Sequence, residues 1–212
     1  VRPADKPPHH RYILHMTRAA PYDREKALDA ALTLFWRKGF HATSLKDLEA
    51  ALAMKPGSIY AAFTSKEALF RETLRRYKAR SEATLAARAE AAASPLEALA
   101  AHARTTGRPK SERPGGCLLT KTVLELAEDP SEAGEDARRY LLDVQDLFFE
   151  LFEQARTCGE LPAGADSRRL ARRFQSNMFG LAVETLRGST AEDLAALADD
   201  MAEEVLRLRQ RQ

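Results

Sequence analysis

Thr43-Ser44-Leu45-Lys46-Asp47-Leu48-Glu49-Ala50-Ala51-Leu52-Ala53-Met54-Lys55-Pro56-Gly57-Ser58-Ile59-Tyr60-Ala61-Ala62-Phe63 is the stretch that decides the fold of this chain. It reads as one amphipathic helix, a tight break, and a second, very short helix. Ser44 with Asp47 three residues on is a short capping-box pattern. Leu45, Leu48 and Leu52 then fall on one face. Pro56 suits the first position of the next helix, because that amide has no intrahelical partner. The spacing predicts a helix over 56–63 with Ile59 and Phe63 pointing inward. Lys55, Gly57, Ser58, Tyr60 and Ala61 are left toward solvent. A helix too short to build a core of its own, presented at the surface by two others, suits insertion into a DNA major groove.

Working outward, a first helix is predicted from about Asp23, a plausible N-cap, to Lys38, with Gly39 as the stop. Its apolar stripe is Ala27, Ala30, Ala31, Leu34 and Phe35. After the short helix, Thr64 or Ser65 opens a long fourth helix toward Ala92, with Glu67 placed to complete a box with Thr64. Ser94-Pro95-Leu96-Glu97 combines cap, N1 proline and N3 glutamate at the start of a fifth. A breaker-rich segment runs from Gly107 to Gly116. Further helices are expected at about 116–127, 131–157 and 166–187, and from Thr190 to the C-terminus. Ala, Leu, Glu and Arg dominate and runs of Val, Ile and Thr are absent, so the expected fold is all-α. The expected division is a flexible arm (1–20), a three-helix helix-turn-helix head (21–68) and a helical body for effector binding and dimerisation (69–212).

The net charge of +2 conceals an asymmetry. Residues 1–80 hold 16 Lys/Arg against 8 Asp/Glu, whereas the remainder holds 17 against 23. A basic front and an acidic back suggest that only the front meets a polyanion. No apolar run approaches the roughly 20 residues needed to cross a bilayer, so no membrane partner is expected. The polar, Pro/His-rich start lacks the apolar core of a secretory signal. Cys117 and Cys158 do not make a disulfide framework, so the expected compartment is cytoplasmic. His9 and His10 have no Cys, Asp or Glu ligands at a suitable spacing; no metal and no cofactor is expected. The arm either touches DNA or does nothing.

Physical roles follow for the head. Lys55, Ser58, Tyr60 and Ala61 are candidates for base-edge and groove contacts. Pro56 starts their helix, and Gly57 leaves room for close backbone approach. Thr43 and Ser44 at one helix N-terminus, and Lys66 at another, suit phosphates, because amide donors and the helix dipole favour an anion there. The alternative reading is that Tyr60 merely packs across the head and Lys66 is solvated.

The run from Ala30 to Phe70 resembles the N-terminal domain of the TetR family of transcriptional repressors. The resemblance is carried by Phe35-Trp36-Arg37-Lys38-Gly39-Phe40, Thr43-Ser44-Leu45-Lys46-Asp47-Leu48, Gly57-Ser58-Ile59-Tyr60 and Phe63-Thr64-Ser65-Lys66-Glu67-Ala68-Leu69-Phe70. Ala53 stands where the turn often has glycine, which bears on the turn geometry. Ala62 stands where histidine is frequent, which removes one phosphate contact. The resemblance implies a homodimer whose heads occupy successive major grooves of a palindromic double-stranded operator, roughly 34–36 Å apart. It also implies a four-helix dimer interface from the last two helices. Leu170, Phe174, Met178 and Leu181 lie on one stripe, and Leu194, Leu197, Met201, Val205 and Leu208 on the other. These stripes either meet a second subunit or face their own.

Family members usually hold a small-molecule effector in the body. Here the expected pocket combines Cys117, Leu118, Thr122 and Glu125 with Phe148, Phe149 and Phe152, and with Phe174 and Asn177. Apolar walls with a few polar groups describe a ligand pocket and an ordinary helical core equally well. Cys117 follows Pro114-Gly115-Gly116 at the first turn of its helix. A helix N-terminus stabilises thiolate, and Arg113 and Lys121 are nearby in sequence. Cys117 is therefore either an electrophile or redox sensor or a small buried apolar residue. The Gly-Cys-Leu start resembles a TetR subgroup that includes sensors of electrophiles. Cys158 reads as structural.

The leading expectation is a ligand-responsive repressor, and not an enzyme. A helical enzyme finds no phosphate-cradling glycine loop, metal-ligand spacing or nucleophile elbow. A scaffold protein would lack salt-steep DNA binding.

Overall fold

The structure, a computed structural model, describes residues 23–108 and 114–210. The N-terminal arm and Arg113 lie outside the described residues. The helices are α1 (Arg24–Lys38), α2 (Leu45–Leu52), α3 (Pro56–Phe63), α4 (Lys66–Ala91), α5 (Pro95–Thr106), α6 (Leu118–Glu125), α7 (Glu132–Thr157), α8 (Ser167–Arg187) and α9 (Ala191–Leu206). Among the described residues all regular structure is helical, as composition predicts.

The ends are set by local chemistry. The Asp23 carboxylate accepts from the Glu25 and Lys26 amides. Ser44 and Asp47 form a reciprocal capping box, which satisfies two otherwise orphaned donors. Ser94 accepts from Glu97, and Thr190 from Asp193. Gly188 closes α8 in the left-handed conformation. The start of α4 differs from expectation. Ser65 is the cap, accepting from Ala68, and Thr64 takes φ +66° instead. The Glu67 carboxylate does not turn back on its own helix; it accepts from the Ala133 amide at 3.3 Å. There it satisfies an orphan donor at the start of α7.

Two large apolar clusters organise the molecule, with a small third of Leu181, Leu194 and Ala198 between α8 and α9. The first joins α1, α2 and α3 (Leu28, Phe35, Leu48, Ile59, Phe63) to α4, α6 and the start of α7 (Phe70, Leu74, Leu118, Leu119, Tyr140). The second joins α5, α7, α8 and α9 around Leu99, Phe148, Phe152, Phe174 and Val205. Each fully buried Leu or Phe contributes roughly 1.5–3 kcal/mol. The three-helix head is therefore seated on the same core as half of the body.

Ion pairs reinforce the seat. Arg76 of α4 reaches Asp29 at 2.6 Å and also pairs with Glu25, both on α1. The Arg76 hydrogen bond holds the Asp29 carboxyl below its ordinary range. Asp136, 3 % exposed, pairs with Arg71 at 2.6 Å and with Arg139. At the far end of the body, the C-terminal part of α5 presses on α9. A Cβ on Gly107 would lie 2.3 Å from the Ala198 Cβ and 2.6 Å from the Leu194 carbonyl oxygen. A buried glycine allows that approach.

Candidate nucleic-acid interface

α3 spans eight residues, and two of them, Ile59 and Phe63, anchor it from below. The other face is open. Lys55, Pro56, Gly57, Ser58, Tyr60 and Ala61 are all exposed, and Tyr60 keeps 47 % of its surface in solvent. Nothing lies within 4 Å of where a Gly57 Cβ would stand, so an approaching backbone or base meets no obstacle there.

Two non-glycine residues in the left-handed region bracket α3: Ala53 before it (φ +53°) and Thr64 after it (φ +66°). The missing glycine at position 53 leaves the turn in place. Alanine adopts φ 53°, ψ 39°, and its amide donates to the Glu49 carbonyl. The conformation costs about 1–2 kcal/mol for a residue with a Cβ. At Thr64, Ser65 donates its amide to the Phe63 carbonyl at 2.7 Å across the turn, the rare and strained form of the γ-turn.

The phosphate candidates divide. Ser44 is exposed at the N-terminus of α2, although its hydroxyl also donates to Asp47 at 2.7 Å. Lys38, at 2.7 Å, holds the Asp47 carboxyl well below its ordinary range, with Ser44 second. Thr43 corrects the sequence reading. It is 1 % exposed, and its hydroxyl donates to the Gly39 carbonyl at 2.6 Å. Its side chain braces the α1–α2 corner from inside and does not face a phosphate. Lys66 is half-buried with its ammonium 4.5 Å from the centre of the Phe40 ring. Desolvation lowers its pKa, against the opposing pull of Glu125 and Asp47. Lys46, exposed on α2, adds a cation that the spacing argument does not single out.

The expected effector pocket does not assemble as one group. Leu118 belongs to the head-side cluster. The Thr122 hydroxyl donates to the Leu118 carbonyl at 2.9 Å. Glu125 faces the head. Its two carboxylate oxygens accept from the Phe40 amide at 3.0 Å and the His41 amide at 2.7 Å. Lys121, one turn earlier, donates to the Trp36 and Arg37 carbonyls at 3.1 and 2.9 Å. A cation there meets the negative end of the α1 dipole. The Trp36 indole donates to Gly116. No local pattern signals these partners, which lie 80 to 85 positions away. Cys117 is the half-buried N-cap of α6. Burial first, and Cys117 alongside, push the Tyr77 phenol well above its ordinary range.

Phe148, Phe152 and Phe174 do converge. Phe174 meets Phe148 edge-on at 4.9 Å and Phe152 at 6.1 Å. Sequence reasoning missed His102, whose ring lies 5.4 Å from Phe148 and whose Nδ1 is 3.0 Å from an Arg88 guanidinium nitrogen. Phe149 is half-buried at the edge of the same cluster, under Arg168. Beside Phe152 and Phe174, Asn177 helps to line a cavity of about 20 Å³. A drug-sized ligand fills about 300–1,000 Å³, so the aromatic group is packed as a core. A wider open groove of about 440 Å³ runs over the outside of α7 past Phe149 and Cys158.

The two stripes expected at a dimer interface are turned mostly inward. Phe174, Met178, Leu181, Leu194 and Val205 are buried within their own subunit. Leu170, Met201 and Leu208 pack partly against the same cores. Leu197 stays 37 % exposed. The open apolar face of α8 is instead one further round the helix, at Val183 and Leu186, with Gly180 one turn before. Among the described residues, no helix is long and apolar enough to cross a membrane, and no cluster of His, Cys, Asp or Glu could hold a metal.

Comparison with known proteins extends this picture. Residues 27–73 match the family described as bacterial regulatory proteins, tetR family. Residues 92–198 match the tetracyclin repressor-like C-terminal domain. The chain is 30% identical over 181 residues to the HTH-type transcriptional repressor ComR of Escherichia coli (strain K12), covering 84% of this chain and 86% of that protein. It is also similar to a cysteine mutant of the transcriptional regulator CifR, solved in complex with 26-base-pair double-strand operator DNA. That likeness has a TM-score of 0.80 at 32% identity, over 91% of this chain and 100% of that one.

Proposed function

Since this chain belongs to the TetR family of DNA-binding transcriptional regulators, we propose that it is a homodimeric repressor, released from a palindromic operator by a small-molecule effector. The family is one of regulators and not of enzymes. The observation that carries the reading is α3: eight residues fixed by Ile59 and Phe63, with Tyr60 and Ser58 presented outward. Such a helix supplies base-edge contacts, while Ser44, Lys46 and Lys66 beside it supply contacts to the sugar-phosphate backbone. The family resemblance of ComR, a repressor, and of CifR, bound to operator DNA, supports the same reading.

The exposed stripe of Gly180, Val183 and Leu186 on α8, with Leu197 on α9, supports pairing of two subunits through these helices. An effector is assigned to the aromatic group of Phe148, Phe152 and Phe174 with His102 and Arg88. The small cavity there means that an effector binds by parting α7 from α8 and α9, which links occupancy to movement. The test is retention of duplex fragments from a randomised library by the purified full chain. Affinity should fall steeply with salt. Failure to retain any duplex at low salt removes the reading.

A second reading keeps the fold and places the signal at Cys117. The observation in its favour is the half-buried thiol at the α6 N-cap against Tyr77. Alkylation of the sulfur, with loss of its proton, adds bulk where Trp36 and Tyr77 meet edge-on at 5.0 Å. Cys117→Ser separates the readings. If an alkylating electrophile releases the operator equally from both proteins, the thiol switch is wrong.

A further inference from the structure

We infer that Glu125 is a positioning residue for operator recognition: its carboxylate fixes the angle of the DNA-binding head on the body, and thereby the half-site spacing that a dimer accepts. The inference rests on the reading of the chain as a dimeric DNA-binding regulator and assigns a residue to its geometry.

Beyond the shared apolar core, charged side chains hold α1 near both of its ends. In the N-terminal half of α1, Asp29 and Glu25 meet Arg76 of α4, and Asp29 also meets Arg80 at 2.5 Å. Apolar packing, with Phe35 and Phe40 both against Phe70, adds to these pairs but does not by itself fix the direction of the corner after Gly39. The second attachment is at the end of α1, and α6 supplies it. Lys121 holds the last carbonyls, those of Trp36 and Arg37. Glu125 holds the next two amides, those of Phe40 and His41. His41 also meets Asp129, just beyond α6, at 2.9 Å.

Two successive backbone N–H groups converging on one carboxylate form an anion-binding nest. Each oxygen takes one amide, so both distance and direction are constrained. Gly39 makes the approach possible. It takes φ +85°, and a Cβ there would lie 2.6 and 2.8 Å from the Glu125 oxygens. Any side chain at 39 would displace the carboxylate. The corner held in this way leads directly into Thr43 and α2, and through α2 into α3. Two anchors on one helix define an angle where one does not.

In a dimer, a change of that angle moves two recognition helices in opposite senses, so the separation of the grooves they reach changes. Hydrogen bonds to a charged group that lose their charge weaken by about tenfold in equilibrium terms. Glutamine at 125 keeps one acceptor but turns an amide NH₂ toward an amide N–H. Aspartate keeps both oxygens and is one methylene short.

The test uses the full chain as wild type, Glu125→Gln and Glu125→Asp. The wild type first selects an operator from a randomised duplex library. That operator is then resynthesised with one or two base pairs added to or removed from its centre. The wild type should prefer its own spacing about tenfold or more. In Glu125→Gln the affinity for that spacing should fall about tenfold and the preference should shrink to about twofold. Glu125→Asp should lie between the two. Binding to unrelated duplex at low salt should stay within about twofold, because that term comes from backbone charge alone. Hydrogen exchange at the Phe40 and His41 amides should speed up in Glu125→Gln. An unchanged spacing profile with faster exchange overturns the positioning role, and unchanged exchange overturns the contact itself. Should Glu125→Gln fail to fold, a wild-type spacing profile in Glu125→Asp overturns the role equally. A wild type that selects no duplex overturns the DNA-binding reading instead.

Discussion

The indole N–H of Trp36 donates to the carbonyl of Gly116 at 3.1 Å, joining two residues 80 positions apart. Gly116 in turn lies against α8. A Cβ on it would stand 3.2 Å from the Ala182 carbonyl oxygen and from the Leu186 side chain. One short loop thus touches both the last turns of α1 and the helix with the open apolar face. Trp36→Phe keeps most of the ring and removes the donor. Stability should fall by about 1–2 kcal/mol, measured by urea unfolding, with the slope of the transition unchanged.

The strain before α3 is removable. Glycine adopts the left-handed conformation without the steric cost that alanine carries. Ala53→Gly should therefore raise stability by about 0.5–1 kcal/mol. The thermal midpoint should rise, and a fall would mean that the Ala53 methyl makes a contact that outweighs its strain.

His102 should make stability depend on mild acid. Burial first, and the Arg88 guanidinium second, lower its pKa from 6.5 to about 4. The unfolded chain therefore takes up this proton more readily than the folded one. The contribution is fully present above about pH 6.5 and is lost as pH falls toward 4. The size is of the order of 2–3 kcal/mol. His102→Gln keeps an acceptor for Arg88 and does not titrate. The difference between wild-type and variant unfolding free energies should narrow steadily from pH 7 to pH 4.

Tyr60→Ala should leave the fold intact, since the side chain is half exposed. Unfolding should shift by less than about 0.5 kcal/mol. Operator affinity should drop by about 1–3 kcal/mol with the salt slope preserved. Lys66→Ala should instead weaken operator and unrelated duplex alike and reduce the salt slope by about 1. A Tyr60→Ala protein that binds its operator normally would remove α3 from the reading.

Gly107→Ala should destabilise by about 1–3 kcal/mol through overpacking, because the added methyl meets Ala198 and a backbone carbonyl of α9. Thermal unfolding of Gly107→Ala and of a Gly107→Ala/Ala198→Gly double variant checks the cause. Recovery in the double variant assigns the loss to that contact.

The sequence makes α3 legible from Pro56 to Phe63 because proline and the Ile59/Phe63 pair act within the segment itself. The caps at Asp23, Ser44 and Ser94 are legible for the same reason: donor and acceptor lie within three residues. What stays hidden is set across the chain. Glu67 has the spacing of a box residue, yet an orphan amide at Ala133 takes its carboxylate. Glu125 fits a pocket lining by pattern, yet the nest at Phe40 and His41 captures it. Thr43 looks like a polar residue at a helix start, and only the fold of the α1–α2 corner turns its hydroxyl inward. The stripes of α8 and α9 are equally legible as stripes, yet a helical period cannot say whether a face meets its own chain or another.

The shared cluster that runs from Leu28 to Tyr140 also limits how this protein can be recombined. Transplanting residues 23–64 onto a foreign body would carry the reading helix across but leave behind the lysine and carboxylate that grip its corner. A working chimera has to cross over where few contacts are cut, and that means bringing α6 along with the graft.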